Sequence, residues 1–491
     1  MSFWEQDVAR YNSTHNGGSV GEIETDYLVV GAGASAMAFV DVLLAESDAR
    51  IVMVDRRHRP GGHWLDAYPF VRLHQPSAIY GVASRPLGQD RIDESGPNAG
   101  FYERATPDEI CDYFDRLLEE KFIPSGRVRF LGLHDYRGED GDGHHLVSLL
   151  TGAATTIRTR RLVDATYIES EIPSRHMPAY AVAAGARLVS PNQLADLDAP
   201  PTGFTVIGAG KTAMDTCNWL LEAGVDPDRI QWIRPRDPWL FSRQSFQPLE
   251  LVGSYMTLQA RWVEAAAEAV DGRDFARRLE AVGVFLRIDP EVEPEAYRGA
   301  IVSARELEAL RTVERVVRRG RVRRIESHRI ELEDGEVPTQ PDTLHVDCTA
   351  AGVRATPVRP IFAGDRITLQ YINITGAPWS AATLGLLEAT RHDDADKNRL
   401  SPPVSFSGHA ADLLQFAYAG MSGLYARTSE PDLATWSESC RLNPAAGAAR
   451  RAGEPDIGAA FTSLMTNFGP AIRNLAARGG EAVHTTALGG G

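Results

Sequence analysis

Two glycine-bearing stretches carry the first chemistry in this chain: "GAGASAMA" at 31–38 and "GAGKTAMD" at 208–215. Each follows a short apolar run of buried-strand type and leads into residues with helical apolar spacing. At such a helix start the free N–H groups and the macrodipole favour an anion, so both stretches are built to hold phosphate. In the first, Gly31 permits the tight turn, Gly33 lets the backbone approach a pyrophosphate and Ala36 lets the helix pack on its strand, with Ala34 and Ser35 between them.

The segments that follow distinguish the two. "ARIVMVDRR" is a second strand ending in Asp55 and Arg56, and an acid there accepts hydrogen bonds from a ribose 2′-hydroxyl. After Gly208, Gly210, Lys211, Thr212 and the small Ala213, the strand "IQWI" ends instead in Arg234, with Arg236 beyond it. Arginine at that point pairs with a 2′-phosphate, so the second loop reads as NADP-type. A P-loop is disfavoured because GxxxxGK[ST] needs four residues between its glycines and this stretch has one. One loop suits a dinucleotide that stays; the other suits one that delivers hydride.

The elements that must position these loops fill a chain of 491 residues, enough for two or three domains. Apolar residues make up 43% and charged residues 24%, the balance of a globular protein. The net charge of -15 argues against nucleic acid or an anionic membrane as partner, since phosphate-rich surfaces demand a basic face. The basic run 318–329 then reads as a solvated strand edge. Four cysteines without a CxxC pair disfavour a disulfide framework or a metal site and fit a reduced cytoplasm. Residues 1–22 lack the marks of a signal peptide and read as a tail, and no stretch of about 18 uninterrupted apolar residues suggests a membrane span.

Helix signals recur outside the loops. Thr106, Pro107 and Glu109 form a capping box, as do Ser303 and Glu306. Residues 238–320 are too long for a loop and read as a helical insert. Its aromatic leading edge "DPWLFSRQSFQP" suggests a substrate lid, with simple packing of Trp239 and Phe241 as the alternative and a homodimer contact as another use of the insert. Residues 402–491 have mixed helical pattern and end in "ALGGG".

Taken together, these motifs resemble those of two-dinucleotide-domain flavoproteins, in particular the flavin-containing, N-hydroxylating and Baeyer–Villiger-like class B monooxygenases. "RRHRPGGHW" resembles the segment, here Gly62, His63 and Trp64, that lies along FAD. "YPFVRLHQPSAIYGV" is similar to the stretch under the flavin ring, with Leu73 as a cofactor contact and His74 where relatives often carry an active-site asparagine; a structural histidine is the alternative. "RRLVDATYIESEIP", with Tyr167 in place of a usual glycine, and "HVDCTAAGVRATP" resemble the crossovers that leave each half. In "NITGAPWSAATLGLLEA" the resemblance implies a helix whose start, capped by Ser380, faces the flavin pyrimidine edge, with Thr383 as a contact. Asn373 is a polar, candidate catalytic contact, alternative to the weaker "AGD" at 363–365. The FxGxxxH stretch of the family is missing from "MPAYAVAAGARLVSPNQL".

The resemblance spans roughly residues 25–390 and implies an α/β fold of two Rossmann-like domains. Residues 23–200 and 351–401 would form the FAD domain, 201–350 the NADP domain with its helical insert 238–320, and 402–491 a helical C-terminal segment. It further implies an NADPH-dependent FAD monooxygenase that forms an oxygen adduct at flavin C4a and oxygenates a small molecule at nitrogen, sulfur or a carbonyl, with O2 as co-substrate. The missing stretch keeps a flavoprotein reductase or dehydrogenase open, and a non-catalytic flavin-binding regulator is the reading from another class.

Overall fold

The apolar runs beside the glycine loops become parallel strands, and the four-residue strands Ile51–Val54 and Ile230–Ile233 are buried along their whole length. Strands covered on both faces by crossover helices must be apolar throughout, which is why these read as continuous rather than alternating runs. The computed structural model describes residues 21–373, 376–405 and 407–479. Most of the expected tail and the "ALGGG" end lie outside these residues, but residues 21 and 22 already belong to the first strand.

The first sheet contains β1 (Gly21–Val30), β2 (Ile51–Val54), β3 (Val128–Leu131) and β4 (Ala154–Asp164), with β1 paired in parallel to both β2 and β4 and β2 to β3. Helix α1 (Ala34–Glu46) crosses from β1 to β2, and α2 (Pro107–Leu117) starts in the expected Thr106–Glu109 capping box.

The second sheet runs in the order β5 (Arg187–Val189), β9 (Thr343–Asp347), β6 (Gly203–Ile207), β7 (Ile230–Ile233), β8 (Val316–Val317), all parallel. Helix α3 (Lys211–Glu222) crosses from β6 to β7. Because β5 lies before residue 201, this half begins earlier along the chain than the spacing of the glycine loops suggests.

The insert is not purely helical. Helices α4 (Val252–Glu268), α5 (Gly272–Ala281) and α6 (Ala304–Arg311) accompany a three-stranded sheet of Pro238–Ser242, Phe285–Leu286 and Ala296–Val302. Pairing two of these strands in parallel requires the long helical connection, and the helical periodicity masks the short strands. Trp239 and Phe241, 1% and 3% exposed, pack with Trp262, Phe285 and Tyr297, so they build the insert core rather than a lid.

The chain returns to the first sheet through β10 (Arg366–Thr368), parallel to β4, and then α7 (Ala377–Thr390). Gly385 of α7 lies so close to α1 that a Cβ there would stand 2.8 Å from the Phe39 carbonyl oxygen. Helices α8 (Leu413–Thr428) and α9 (Pro455–Gly479) close over the insert, with Phe416 and Leu475 in its core. Among the described residues no helix is long and apolar enough to cross a membrane.

Candidate functional site

At the carboxyl edge of the first sheet, Gly31 turns at φ +100° and donates its N–H to the Val54 carbonyl, 2.8 Å away. Helix α1 then begins on Gly33 with no side-chain cap and no acid in its first turn. The first N–H groups, from Ala34 and Ser35, are left for an anion.

The "GGHW" segment lies on this turn. Gly61 N–H donates to the Ala32 carbonyl at 2.9 Å, and a Cβ on Gly62 would come within 2.9 Å of Gly33 Cα. Two backbones can approach that closely only without side chains. Trp64 Nε1 donates to the Tyr80 hydroxyl at 2.7 Å. Burial, with Arg57 alongside, lowers the His63 pKa to about 4.

Asp55 is buried and accepts from Ala32 N–H at 2.7 Å and Arg57 N–H at 2.8 Å, so it fixes the turn as well as standing where a ribose would come. Arg56 is placed differently from the expectation of a cofactor contact: its side chain is 72% exposed and pairs with Asp135, because the strand end turns it outward.

The second turn repeats the design. Gly208 sits at φ +139°, where a Cβ would fall 2.5 Å from the Cys348 carbonyl oxygen, and its own carbonyl accepts from Trp232 Nε1 at 2.7 Å. Helix α3 begins on Gly210, again without side-chain cap or first-turn acid, and with Lys211 at its first position. Lys211 Nζ pairs with Asp215 one turn on, and Tyr68 donates to the same carboxylate at 2.8 Å. Thr212 stands beside Lys211 in this turn.

Arg234 is sealed inside the fold rather than open at the sheet edge. It is 1% exposed, its guanidinium lies 4.5 Å over the Trp232 ring and Nε stands 2.9 Å from Asp237. It buttresses the indole that holds the Gly208 carbonyl. Arg236 is only half-buried and shares its surroundings with Arg298 and Arg321. Burial, then these two neighbours, lowers the Arg298 pKa, and none of the three is ion-paired among the described residues. Arg298 donates to the Ala351 carbonyl at 2.7 Å, past the carboxyl end of β9, which places the cationic group at the carboxyl edge of the sheet.

Near Lys211 of the second turn lies a polar layer that motif spacing does not reveal. Glu306 of α6 accepts from Arg243 Nη2 at 2.6 Å and from Arg104 Nη2 at 3.3 Å, while keeping its capping bond from Ser303 N–H at 2.9 Å. Burial alone would raise its pKa, but the charges of Lys211, then Arg243 and Arg104, hold it down to about 2. Arg104 also donates to the carbonyl of the buried Leu73, whose N–H is held by Ala105. His74 follows directly. Burial, then Lys211, Arg104 and Arg243, keeps its imidazole well below the usual histidine value, so it is neutral. The capping box at 303–306 flagged Glu306 as a helix start, yet nothing in the linear pattern pairs it with arginines some 60 and 200 residues away.

Around α7 two expectations change. The helix starts on Gly376, so Ser380 is not its cap; its hydroxyl instead accepts from Ile372 and Asn373 N–H, both at 3.2 Å, and ties the incoming chain to the first turn. Thr383 is 2% exposed and spends its hydroxyl on the Trp379 carbonyl one turn back. The turn at 363–365 sits at the amino-terminal end of β10, away from the cofactor edge, whereas Asn373 lies beside the start of α7.

No protein-family model matches the chain. It is 44% identical over 422 residues to an uncharacterised protein of Mycobacterium tuberculosis, and equally to one of Mycobacterium bovis, covering 86% of this chain and 78% of each relative. The chain belongs to their family. Among solved structures it is similar to a flavin-containing monooxygenase from Stenotrophomonas maltophilia at TM-score 0.43 and 16% identity, over 84% of this chain and 99% of that one. A cyclohexanone monooxygenase from Rhodococcus bound to NADP+ gives 0.45 and 14%, over 75% and 85%. A bacillithiol disulfide reductase from Bacillus cereus gives 0.45 and 11%, over 75% and 100%.

Proposed function

We propose that the protein is an NADPH-dependent FAD monooxygenase acting on a small molecule at nitrogen, sulfur or a carbonyl. The observation that carries the reading is the pair of glycine turns, each at the carboxyl edge of parallel strands in its own sheet and each opening a helix without cap or acid. FAD fits the first: the Gly33–Gly62 approach leaves a backbone cradle, the start of α1 would hold the pyrophosphate and Asp55 would hold the ribose. NADPH fits the second, on the start of α3 with Lys211. The chemistry FAD would supply there is acceptance of hydride from NADPH and activation of O2.

The chain's own groups then bind and orient. Tyr68, bonded to Asp215, and Phe70, stacked 4.6 Å from Trp219, fasten the segment leading to His74 onto α3. His74 stays uncharged through the range in which a free imidazole titrates, so it can donate or accept a hydrogen bond toward substrate without adding a cation. Arg236 and Arg298, at the carboxyl edge of the second sheet, would supply the 2′-phosphate contact.

Replacing Arg236 or Arg298 with alanine should therefore weaken NADPH more than NADH, by about 1–3 kcal/mol for a charge-assisted contact. Equal losses for both cofactors in binding titrations would remove that role. The function is tested by anaerobic reduction of the FAD-loaded protein with NADPH, then labelled O2 with panels of amines, sulfides and ketones. One labelled oxygen atom in product supports the reading. NADPH-dependent bleaching with transfer only to other acceptors would make the protein a reductase, and no bleaching would favour a non-catalytic flavin binder.

A further inference from the structure

Arg427, near the end of α8, is 4% exposed and has no carboxylate partner among the described residues. Burial alone lowers its pKa to about 10. An unpaired cation in such a place is costly and calls for a compensating role. Its guanidinium donates from Nη1 to the Leu400 carbonyl at 2.9 Å and from Nη2 to Asn373 Oδ1 at 2.7 Å. Gly423, one turn earlier, leaves the room, since a Cβ there would stand 3.0 Å from Nη1.

Arginine can only donate, so this contact fixes which end of the Asn373 amide is oxygen. The amide N–H2 must face the other way. That nitrogen is buried, Asn373 being 9% exposed, and it has no hydrogen-bond partner among the described residues. A buried amide donor left without an acceptor is costly. The donor stands beside the start of α7, because Asn373 N–H is held by Ser380 of that helix's first turn, and α7 itself begins uncapped on Gly376. An oriented side-chain donor and a free helix start thus meet at one place, and both favour an acceptor carrying negative charge.

We propose that Arg427 is a positioning residue for the flavin: by holding Asn373 Oδ1 it turns the Asn373 amide N–H2 onto a pyrimidine-ring oxygen of the bound cofactor. This rests on the FAD reading above. Hydride from NADPH brings two electrons and one proton to the ring and leaves one negative charge on its pyrimidine side. A donor held in place there binds the reduced form more tightly than the oxidised form. The C-terminal helices, which contribute to neither dinucleotide sheet, thereby acquire a part in the redox chemistry.

The test is the reduction equilibrium of FAD in the full-length protein, measured against a reference dye at full flavin occupancy. Arg427→Met and Asn373→Ala should each shift it toward the oxidised form by roughly tenfold, ~30 mV for a two-electron couple. The double variant should shift no further than either single one, because Arg427 acts through Asn373. Arg427→Gln, which keeps a donor for Oδ1, should shift less than Arg427→Met. An unchanged equilibrium in Asn373→Ala, or shifts that add in the double variant, would overturn the assignment. If Arg427→Met does not fold, Asn373→Ala and Arg427→Gln decide it, and an unshifted equilibrium in both rejects it. A wild-type protein that takes up no FAD would instead defeat the functional reading itself.

Discussion

Replacing Glu306 with alanine should destabilise the protein by about 3–5 kcal/mol, because it strands two buried arginines in a layer that excludes water. Arg243 is 0% exposed and Arg104 9%, and Glu306 is the carboxylate both of them reach. The change also removes the acceptor for Ser303 N–H at the start of α6. Glu306→Gln separates the two contributions, since it keeps the cap and loses the charge. Denaturant unfolding of the three proteins checks this, and a loss below 1 kcal/mol in Glu306→Ala would mean that Arg104 and Arg243 find other partners.

The same residue sets a pH window. Its folded pKa of about 2 lies below the ordinary 4.5, so its contribution, on the order of 3 kcal/mol, is present above about pH 4.5. It fades as pH falls toward 2, when the carboxyl takes up its proton. Acid unfolding of wild type should carry this slope, and Glu306→Ala should lack it.

The second large effect is expected at the second glycine turn. Gly208→Ala places a Cβ 2.5 Å from the Cys348 carbonyl oxygen, at a φ of +139° that L-residues seldom adopt. The neighbouring backbone cannot yield cheaply, because Cys348 N–H is bonded to the Ile207 carbonyl and Gly208 N–H to that of Ile233. Strain of about 1–3 kcal/mol plus the clash should displace the turn and weaken NADPH by on the order of 100-fold. FAD content should stay near wild type, since the first turn is built from other strands. Gly210→Ala is the contrasting variant: its Cβ meets no atom within 4 Å, so stability should hold while NADPH binding falls. Equal loss of NADPH and FAD in Gly208→Ala would show that the two turns are not independent.

These expectations divide between what local sequence controls and what it does not. The turns at 31–33 and 208–210, their strands and helices, and the two parallel sheets follow from glycine spacing and continuous apolar runs, which are short-range constraints. The capping boxes at Thr106 and Ser303 form as written, for the same reason. Short strands inside the insert escaped notice because the helices around them dominate the periodicity.

Side-chain roles depended on distant partners. Arg234 and Arg236 are two residues apart, yet one is sealed against Trp232 and Asp237 while the other joins Arg298 and Arg321. Ser380 looked like a cap and serves as a tie for Asn373. The Arg104–Glu306–Arg243 layer and the Arg427–Asn373 contact join residues from 54 to 202 positions apart. The sequence by itself determined two glycine turns on parallel strands of two sheets, because backbone sterics and apolar burial act within a few residues. Only the tertiary structure decided which charges line the space between them, because burial and pairing of a side chain are set by whatever the fold brings against it.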